Sequence, residues 1–302
     1  MTTREKVSFI VKFLSTISLA RENKSERVFF RGESKDYGDS SFTPSLFRDI
    51  QLKENETSMY NDVLFSLPDL FDEDQTTFER LVRMQHYGLP TRLLDVTTNP
   101  LVALYFACVE NKDEDGIVFI STISNRYIKL YDNPSVEFLS RVSLLGKIDQ
   151  EVITRKHLKQ LYDRFVFILR KLNMTKGIDS HPELWSNIDN LKEDYIFKYL
   201  TDGLHEYNTA DELKLLILNS IIFVKAPKRN SRQISQSGEF IIFGDYAKTS
   251  NLGANININK FPIKACYKNE ILEILNSLNI NHSTLFPDLS NTCKQVQLSY
   301  RK

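Results

Sequence analysis

The first apolar positions of the chain repeat at helical spacing. Val7, Ile10, Val11, Leu14 and Ile17 recur at steps of three and four residues. Side chains at this spacing share one face of an α-helix. The pattern therefore predicts an amphipathic helix over residues 4–22, whose apolar face packs against a core.

Further along, short segments rich in β-branched and aromatic residues alternate with segments of helical spacing. The predicted strands are residues 27–31, 117–122, 220–225 and 239–243. The predicted helices are residues 52–65, 75–86, 269–279 and one that begins near Pro100. Because regular βαβ alternation is absent, the pattern favours an α+β fold, with a mixed or antiparallel central sheet and flanking helices.

Polar residues at the expected helix starts support these boundaries. Thr76 or Thr77 is suited to cap the helix that follows it, with Glu79 as the partner in a capping box. Thr98 or Asn99 is suited to cap the next helix, whose first turn holds a proline.

Residues from about 125 to 215 differ in character from the rest of the chain. Charged and long side chains dominate there, glycine is scarce, and Leu and Ile recur at helical spacing in 151–173 and 211–219. We interpret 125–215 as a helical insertion within a single domain that spans residues 1–302.

The charge balance excludes a chain that binds nucleic acid through overall positive charge, because 39 Lys and Arg residues offset 39 Asp and Glu residues. An apolar content of 41% suits a folded core. No apolar run approaches the ~20 residues of a transmembrane helix, and the amino terminus lacks the apolar segment of a signal peptide. We therefore expect a cytoplasmic protein without membrane contact.

Several kinds of catalytic site are excluded by missing motifs. The chain has no GxxxxGK[ST], GxGxxG, HExxH or GxSxG pattern. Its five histidines are dispersed and its three cysteines form no CxxC pair, so we expect no metal site. Four basic residues between 225 and 232 form a small patch, which is either a solvated loop or a contact for phosphate or nucleic acid.

Arg31 is the first candidate for a residue of a functional site. It follows the apolar residues 28–30 and so closes a strand that is predicted to be buried. A buried guanidinium needs an anion or several carbonyl acceptors. Arg31 therefore either binds a phosphate or carboxylate, with Gly32 allowing close backbone approach, or forms an internal salt bridge to Asp95 or Glu239.

Residues 85–95, QHYGLPTRLLD, hold many hydrogen-bonding side chains just before an apolar helix. Such density indicates a shaped polar pocket. His86 acts there as a base, orients a ligand or is structural. Arg92 and Asp95 contact a ligand or pair with each other, and Thr91 is a strand residue or a cap.

A third polar segment, residues 232–238, runs into the last predicted apolar strand. It places Glu239 at the start of that strand. A carboxylate at this position either stabilises positive charge that develops on a substrate or is a solvated residue at a strand end.

Two of these segments resemble the FRG domain, which is named after its Phe-Arg-Gly motif. They are FFRGES (29–34) and QHYGLPTRLLDVTTNPLVALYFA (85–107). Shorter similar stretches are TPSLFR (43–48), the pattern of Arg232, Gln236, Gly238 and Phe240, and TLFPDL (284–289). The family is widespread in bacteria, often in mobile or defence-associated settings. The resemblance therefore implies an effector of bacterial defence or toxin type.

The order of elements is also similar to that of a divergent ADP-ribosyltransferase, which is an analogy at the level of the fold. It implies that Arg31 holds NAD through phosphate or ribose oxygens, and that Thr91 or Thr97 borders the nicotinamide. It implies that Glu239 stabilises an oxocarbenium-like transition state. ADP-ribose would then be released or transferred to a protein or nucleic-acid acceptor.

The same analogy implies a set of nucleotide-binding residues around the catalytic pair of Arg31 and Glu239. They are Arg31, Gly32, His86, Thr91, Arg92, Asp95, Tyr105 and Gln236. If Gln236 rather than Glu239 points into the pocket, the transferase carboxylate is missing. The alternative is then a non-catalytic module that recognises a nucleotide, a nucleic acid or a protein.

Overall fold

The computed structural model describes residues 3–145, 220–245 and 256–287, together with residues 293, 297 and 300. Its strands are β1 (Glu26–Glu33), β2 (Leu93–Thr97), β3 (Gly116–Ser124), β4 (Lys129–Leu130), β5 (Ile221–Lys225), β6 (Gly238–Phe243) and β7 (Ile256–Ile263). They form one sheet in the order β4-β5-β6-β2-β1-β3-β7. Strands β4 and β5 pair in parallel and the other neighbours pair antiparallel, so the predicted α+β class with a mixed sheet is confirmed.

The helices of the described residues lie between and after these strands. They are α1 (Thr3–Ala20), α2 (Ile50–Glu54), α3 (Glu56–Ser66), α4 (Thr77–His86), α5 (Pro100–Val109), α6 (Pro134–Arg141), α7 (Ser231–Ser235), α8 (Lys268–Ser277) and α9 (His282–Leu285). Among them we find no helix with the length and apolar character needed to traverse a bilayer.

Both predicted helix caps are present. The Thr76 hydroxyl accepts a hydrogen bond from the Glu79 backbone N–H at 3.2 Å, and a Glu79 carboxylate oxygen accepts one from the Thr76 backbone N–H at 3.1 Å. This capping box fixes the start of α4. At α5, Asn99 rather than Thr98 is the cap, because its side-chain oxygen accepts from the Leu101 N–H at 3.0 Å.

Strand β7 was not predicted, because its sequence carries little strand signal. The segment ININKFPI contains two asparagines and Pro262, which strands disfavour. It nevertheless pairs with β3 from Gly116 to Ile123 and occupies one edge of the sheet, where proline is tolerated. Pairing with β3, rather than local strand propensity, therefore stabilises β7.

Two groups of helices cover one face of the sheet. Helices α1, α5 and α8 pack over the β1 and β3 side, where Phe30 and Val118 are buried. Helices α3, α4 and α6 pack over the β2 and β6 side, where Leu93 and Phe240 are buried. On the opposite face, residues such as Phe29 form a third apolar cluster. The first face therefore has a boundary between its two helical groups.

Of the segment interpreted as an insertion, 125–215, the structure describes residues 125–145. These residues form the short edge strand β4 and helix α6. The remainder lies outside the described residues. The assignment of 1–302 to one domain stays a prediction.

Candidate functional site

Strands β1 and β2 pair over a much shorter length than their neighbours. Among the described residues their register holds one pair, Phe30 with Thr97, although β1 pairs with β3 along its whole length. Next to this pair, Nη1 of Arg31 donates a hydrogen bond to the backbone oxygen of Asp95 at 2.8 Å. A side chain thus bridges the two strands where the backbone ladder stops.

A cavity of about 180 Å³ lies at this point, on the face between the two helical groups. We call it the central cavity; its walls come from β1, β2, α4, α5, α7 and β6. Six residues singled out from the sequence line it: Arg31, Gly32, His86, Asp95, Thr97 and Gln236. Residues more than two hundred positions apart in the sequence are therefore brought together in one place.

A second cavity, of about 270 Å³, adjoins the first and is called the side cavity. Arg31, Gly32 and Phe106 line both cavities. The predicted residue Tyr105 lines the side cavity, where burial raises the pKa of its hydroxyl and Glu110 adds to that effect. The two cavities therefore meet at the Phe-Arg-Gly motif.

Arg31 is held along one edge of its guanidinium group. Nε donates to Oε1 of Glu33 at 3.0 Å, while Nη1 bonds to the Asp95 carbonyl. Its side chain is 21% exposed, and Nη2 has no hydrogen-bond partner among the described residues. The internal salt bridge considered from the sequence exists, but its partner is Glu33 rather than the carboxylate of Asp95 or Glu239. The free edge of the guanidinium remains available to an anion.

Glu33 fixes the position of the Arg31 side chain. Its buried Oε1 also accepts hydrogen bonds from Nη2 of Arg48 at 2.8 Å and from the Phe42 N–H at 3.2 Å. The Arg48 guanidinium lies 4.1 Å from the centre of the Tyr37 ring. Arg31 is thus one member of a packed charged cluster, and its position is set before any ligand binds.

Gly32 serves helix packing. A Cβ atom placed on Gly32 would lie 1.8 Å from the carbonyl oxygen of Ala103 and 2.6 Å from the backbone nitrogen of Ala107. Glycine is therefore required at this position for α5 to pack directly against β1. The sequence motif encodes a helix–strand contact as well as the wall of a cavity.

His86 lies at the end of α4 and is half-buried. Its Nδ1 is 2.8 Å from Nδ2 of Asn230, an amide group that donates, so the neutral ring carries its hydrogen on Nε2. Burial lowers the pKa of His86, although Asp95 acts in the opposite direction. Since Nδ1 already accepts a hydrogen bond, this geometry favours orientation of a ligand over the role of a base.

Arg92 lies outside both cavities and is fully buried. Its guanidinium bonds to both carboxylate oxygens of Glu56, at 2.9 and 2.6 Å, and to Asp245 at 3.3 Å. Burial raises the pKa of Asp245, but Lys53 and Arg92 outweigh it and the net pKa is lowered. The predicted pairing of Arg92 with Asp95 is wrong, and the surroundings of Arg92 give it a structural role.

Glu239 also lies outside the central and side cavities. Gly238 and Phe240, its neighbours in β6, line the central cavity, so alternation along the strand directs Glu239 to the other face of the sheet. Its Oε2 accepts a hydrogen bond from the Ala226 N–H at 3.2 Å. Burial raises the pKa of Glu239, against the hydrogen bond from Ala226. Arg31 and Glu239 do not share either cavity.

Comparison with known families gives one match. A model of the FRG domain matches residues 26–116, the segment that runs from the start of β1 to the start of β3. This segment is an FRG domain. A search of curated proteins and a search of solved structures each found no match. The ADP-ribosyltransferase-like arrangement stays a prediction, as do the resemblances beyond residue 116.

The FRG domain supplies part of the site, and the rest of the chain closes it. Arg232 lines the central cavity, and its guanidinium lies 4.7 Å from the centre of the Phe286 ring, which lines the side cavity. Gln236 donates through Nε2 to the Leu285 carbonyl at 3.0 Å. The basic patch and the TLFPDL segment noted in the sequence are the signals that pointed to Arg232 and Phe286.

Thr91 acts on the site through another residue. It lines neither cavity, but its hydroxyl donates to Oε1 of Gln85, and Nε2 of Gln85 donates to Oδ2 of Asp95 at 2.7 Å. Sequence reasoning included Gln85 in the polar segment 85–95 but gave it no role, because the link between Thr91 and Asp95 depends on the position of α4 beside β2.

A third cavity, of about 440 Å³, lies on the far side of His86. Four of its charged side chains form ion pairs, Arg83 with Asp74 at 2.7 Å and Arg229 with Glu79 at 2.8 Å, and Glu73 and Arg232 also line it. Although it is larger, it is lined neither by Arg31 and Gly32 of the Phe-Arg-Gly motif nor by Asp95. We therefore take the central and side cavities as the candidate site.

Proposed function

We propose that the FRG domain of this chain binds a nucleotide, with its phosphate at Arg31 and NAD as the first ligand to test. One observation carries the proposal: Arg31 lines both cavities, and its Nη2 is without a partner among the described residues. A guanidinium fixed along one edge offers its remaining N–H groups to the oxygens of a phosphate.

The size and arrangement of the cavities support an elongated ligand. Each cavity is smaller than the ~300–1,000 Å³ that is typical of ligand sites, but together they exceed the lower bound. A dinucleotide has two ring-bearing ends joined by phosphates. With the phosphates at Arg31, one end would occupy each cavity, and Phe106, Tyr105 and Phe286 offer aromatic surface to its rings.

The charges around the central cavity support an anionic ligand. Arg31 and Arg232 line it together with one acidic side chain, Asp95. His86 adds an Nε2–H donor when neutral. A nucleotide carries both an anion for the arginines and hydroxyl groups for the carboxylate.

We propose recognition of the nucleotide as the primary function and treat release or transfer of ADP-ribose as a separate step. Transfer as inferred from the sequence depends on Glu239, and that carboxylate faces away from the central cavity. The geometry therefore favours the non-catalytic alternative for the nucleotide. The effector role in bacterial defence, the cytoplasmic location and a protein or nucleic-acid acceptor stay predictions.

The test compares two arginine variants of the full chain, Arg31→Gln and Arg141→Gln. Both arginines donate from Nε to a carboxylate at 3.0 Å, and their side chains are 21% and 24% exposed, but Arg141 does not line the candidate site. We expect NAD to bind the wild type and Arg141→Gln, and to bind Arg31→Gln at least about tenfold more weakly, as loss of a charge-assisted hydrogen bond implies. Isothermal titration calorimetry measures the affinities, and thermal unfolding verifies that each variant is folded.

Two outcomes would overturn the proposal. One is the absence of binding of NAD, ADP-ribose and ADP to the folded wild type; the other is equal affinity of NAD for Arg31→Gln and the wild type. Release of nicotinamide, followed in the same samples and in Glu239→Gln, decides the separate question of turnover. Binding without release supports recognition, and release that Glu239→Gln abolishes supports turnover of NAD, with ADP-ribose passed to water or to an acceptor.

A further inference from the structure

Asp95 occupies an unusual place for a charged side chain. It is the middle residue of β2, which lies between β6 and β1 in the interior of the sheet. The other four residues of β2 are buried, whereas Asp95 is exposed and lines the central cavity. An exposed carboxylate at this position adds nothing to the packing of the sheet. We therefore consider what it can bind in the central cavity.

Only one of the two carboxylate oxygens of Asp95 has a hydrogen-bond partner among the described residues. Oδ2 accepts a hydrogen bond from Nε2 of Gln85, and the orientation of that amide is set by the Thr91 hydroxyl, which donates to its Oε1. Nη1 of Arg31 fixes the backbone at the same residue. Oδ1 has no hydrogen-bond partner among the described residues. The carboxylate is therefore positioned in advance, with one oxygen left to accept.

The chemistry of this oxygen limits what it can bind. An ionised carboxylate only accepts hydrogen bonds, so the ligand must present a donor. Arg31 and Arg232 line the same cavity and disfavour a cationic donor such as an ammonium group. The free edge of Arg31 favours an anion close by. A neutral hydroxyl next to a phosphate satisfies both residues, and the sugar of a ribonucleotide has this arrangement.

Building on the proposed nucleotide site, we propose that Oδ1 of Asp95 accepts a hydrogen bond from a ribose hydroxyl and so favours nucleotides that carry this hydroxyl over analogues that lack it. Gln85 and Thr91 are positioning residues, because they act on the ligand through Asp95. A hydrogen bond to a charged group is stronger than one between neutral groups, so a nucleotide without the hydroxyl should bind at least about tenfold more weakly.

The experiment measures the affinities of ADP, 2′-deoxy-ADP and 3′-deoxy-ADP for the full-length wild type, Asp95→Asn and Asp115→Asn. The last variant makes the same change of charge outside the candidate site, where Asp115 pairs with Lys264. We expect the wild type and Asp115→Asn to bind one deoxy analogue at least about tenfold more weakly than ADP. In Asp95→Asn, that difference between ADP and the analogue should largely disappear.

This coupling between the hydroxyl and Asp95 is not expected of a residue that merely stabilises the fold. Equal affinity of the wild type for ADP and both analogues would overturn the inference while leaving nucleotide binding intact. So would a preference for ADP that persists unchanged in Asp95→Asn. If the folded wild type binds none of NAD, ADP-ribose and ADP, the proposed function fails and this inference fails with it.

The positioning role has its own test in Gln85→Met, which keeps the length of the side chain and removes the donor to Asp95. We expect it to reduce the preference for ADP over the sensitive analogue by less than Asp95→Asn does. An unchanged preference in a folded Gln85→Met variant would show that Gln85 does not position the carboxylate.

Discussion

At the scale of single residues, two arginines of the FRG domain differ in what surrounds their charge. Arg92 is fully buried between Glu56 and Asp245, whereas Arg31 is partly exposed and has one nitrogen without a partner among the described residues. Removing one member of a buried ion pair typically costs about 3–5 kcal/mol, because the other charge stays buried. Loss of ligand binding in an Arg92 variant would therefore report on folding, whereas the same loss in a folded Arg31 variant reports on the site.

Glu239 gives a prediction for the dependence of stability on pH. Burial raises its pKa in the folded state above the ordinary value of 4.5, so ionisation of this carboxyl destabilises the fold. This loss of stability is absent below the pKa of Glu239 in the unfolded chain and develops as the pH rises through its pKa in the folded protein. Glu239→Gln has no ionisable carboxyl and so does not show the loss. We expect Glu239→Gln to be more stable than the wild type at pH 7, by about 1.4 kcal/mol for each unit by which the pKa is raised, and nearly equal at pH 4.

Urea unfolding at the two pH values measures this difference. Glu114→Gln is the control, because Glu114 is 55% exposed and its surface ion pair with Lys35 should contribute little. A Glu239→Gln variant that is less stable than the wild type at pH 7 would mean that the ionised carboxylate stabilises the protein.

At the scale of elements, the contact between β1 and α5 depends on the absence of a side chain at Gly32. In Gly32→Ala the added methyl group would lie 1.8 Å from the Ala103 carbonyl oxygen, so the helix or the strand must move. We expect this variant to lose about 3 kcal/mol or more of its unfolding free energy, the upper part of the range for overpacking. Chemical denaturation measures the loss.

Gly238→Ala is the matched control for this prediction. Gly238 also lies in a strand and lines the central cavity, but its added Cβ would approach no atom closer than 3.5 Å. We expect a change of less than about 1 kcal/mol. If both alanine variants were equally stable, close approach of α5 to β1 would not be the reason for glycine at position 32.

At the scale of the whole molecule, the matched FRG segment is not a complete sheet. Within residues 26–116 lie β1, β2 and the first residue of β3, whereas β6, the antiparallel neighbour of β2, and β7 lie far along the chain. The buried Lys268 of α8 donates to the carbonyl groups of Ser34, Glu110 and Asn111 and so ties a later helix to this segment. The later elements therefore complete both the core and the cavities.

It follows that residues 26–116 expressed alone should not fold. The fragment would expose the edge of β2 that pairs with β6 and the edge of β1 that pairs with β3. We expect circular dichroism and urea titration to show no cooperative unfolding of the fragment, in contrast to the full chain. A cooperative transition in the fragment would mean that the FRG segment is a domain in its own right.

The local features of this protein could be predicted from its sequence. Amphipathic spacing, strand-forming runs, the capping box at α4 and the Phe-Arg-Gly motif depend on residues close together in the chain, so the pattern predicted them. It also singled out Arg31, His86, Asp95 and Gln236, because polar side chains next to apolar segments are conspicuous. Strand β7 was not predicted. Its asparagines and proline do not favour a strand, and pairing with β3 is what stabilises it.

Which charged groups lie in contact depends on the packing of segments that are far apart in the chain. Pairing of β2 with β6 turns Glu239 away from the central cavity, and a one-residue difference in register is enough to exchange the two faces of a strand. The fold likewise buries Arg92 between Glu56 and Asp245 and leaves Asp95 open to the cavity. Such outcomes depend on contacts between residues far apart in the chain, which spacing along the sequence does not encode.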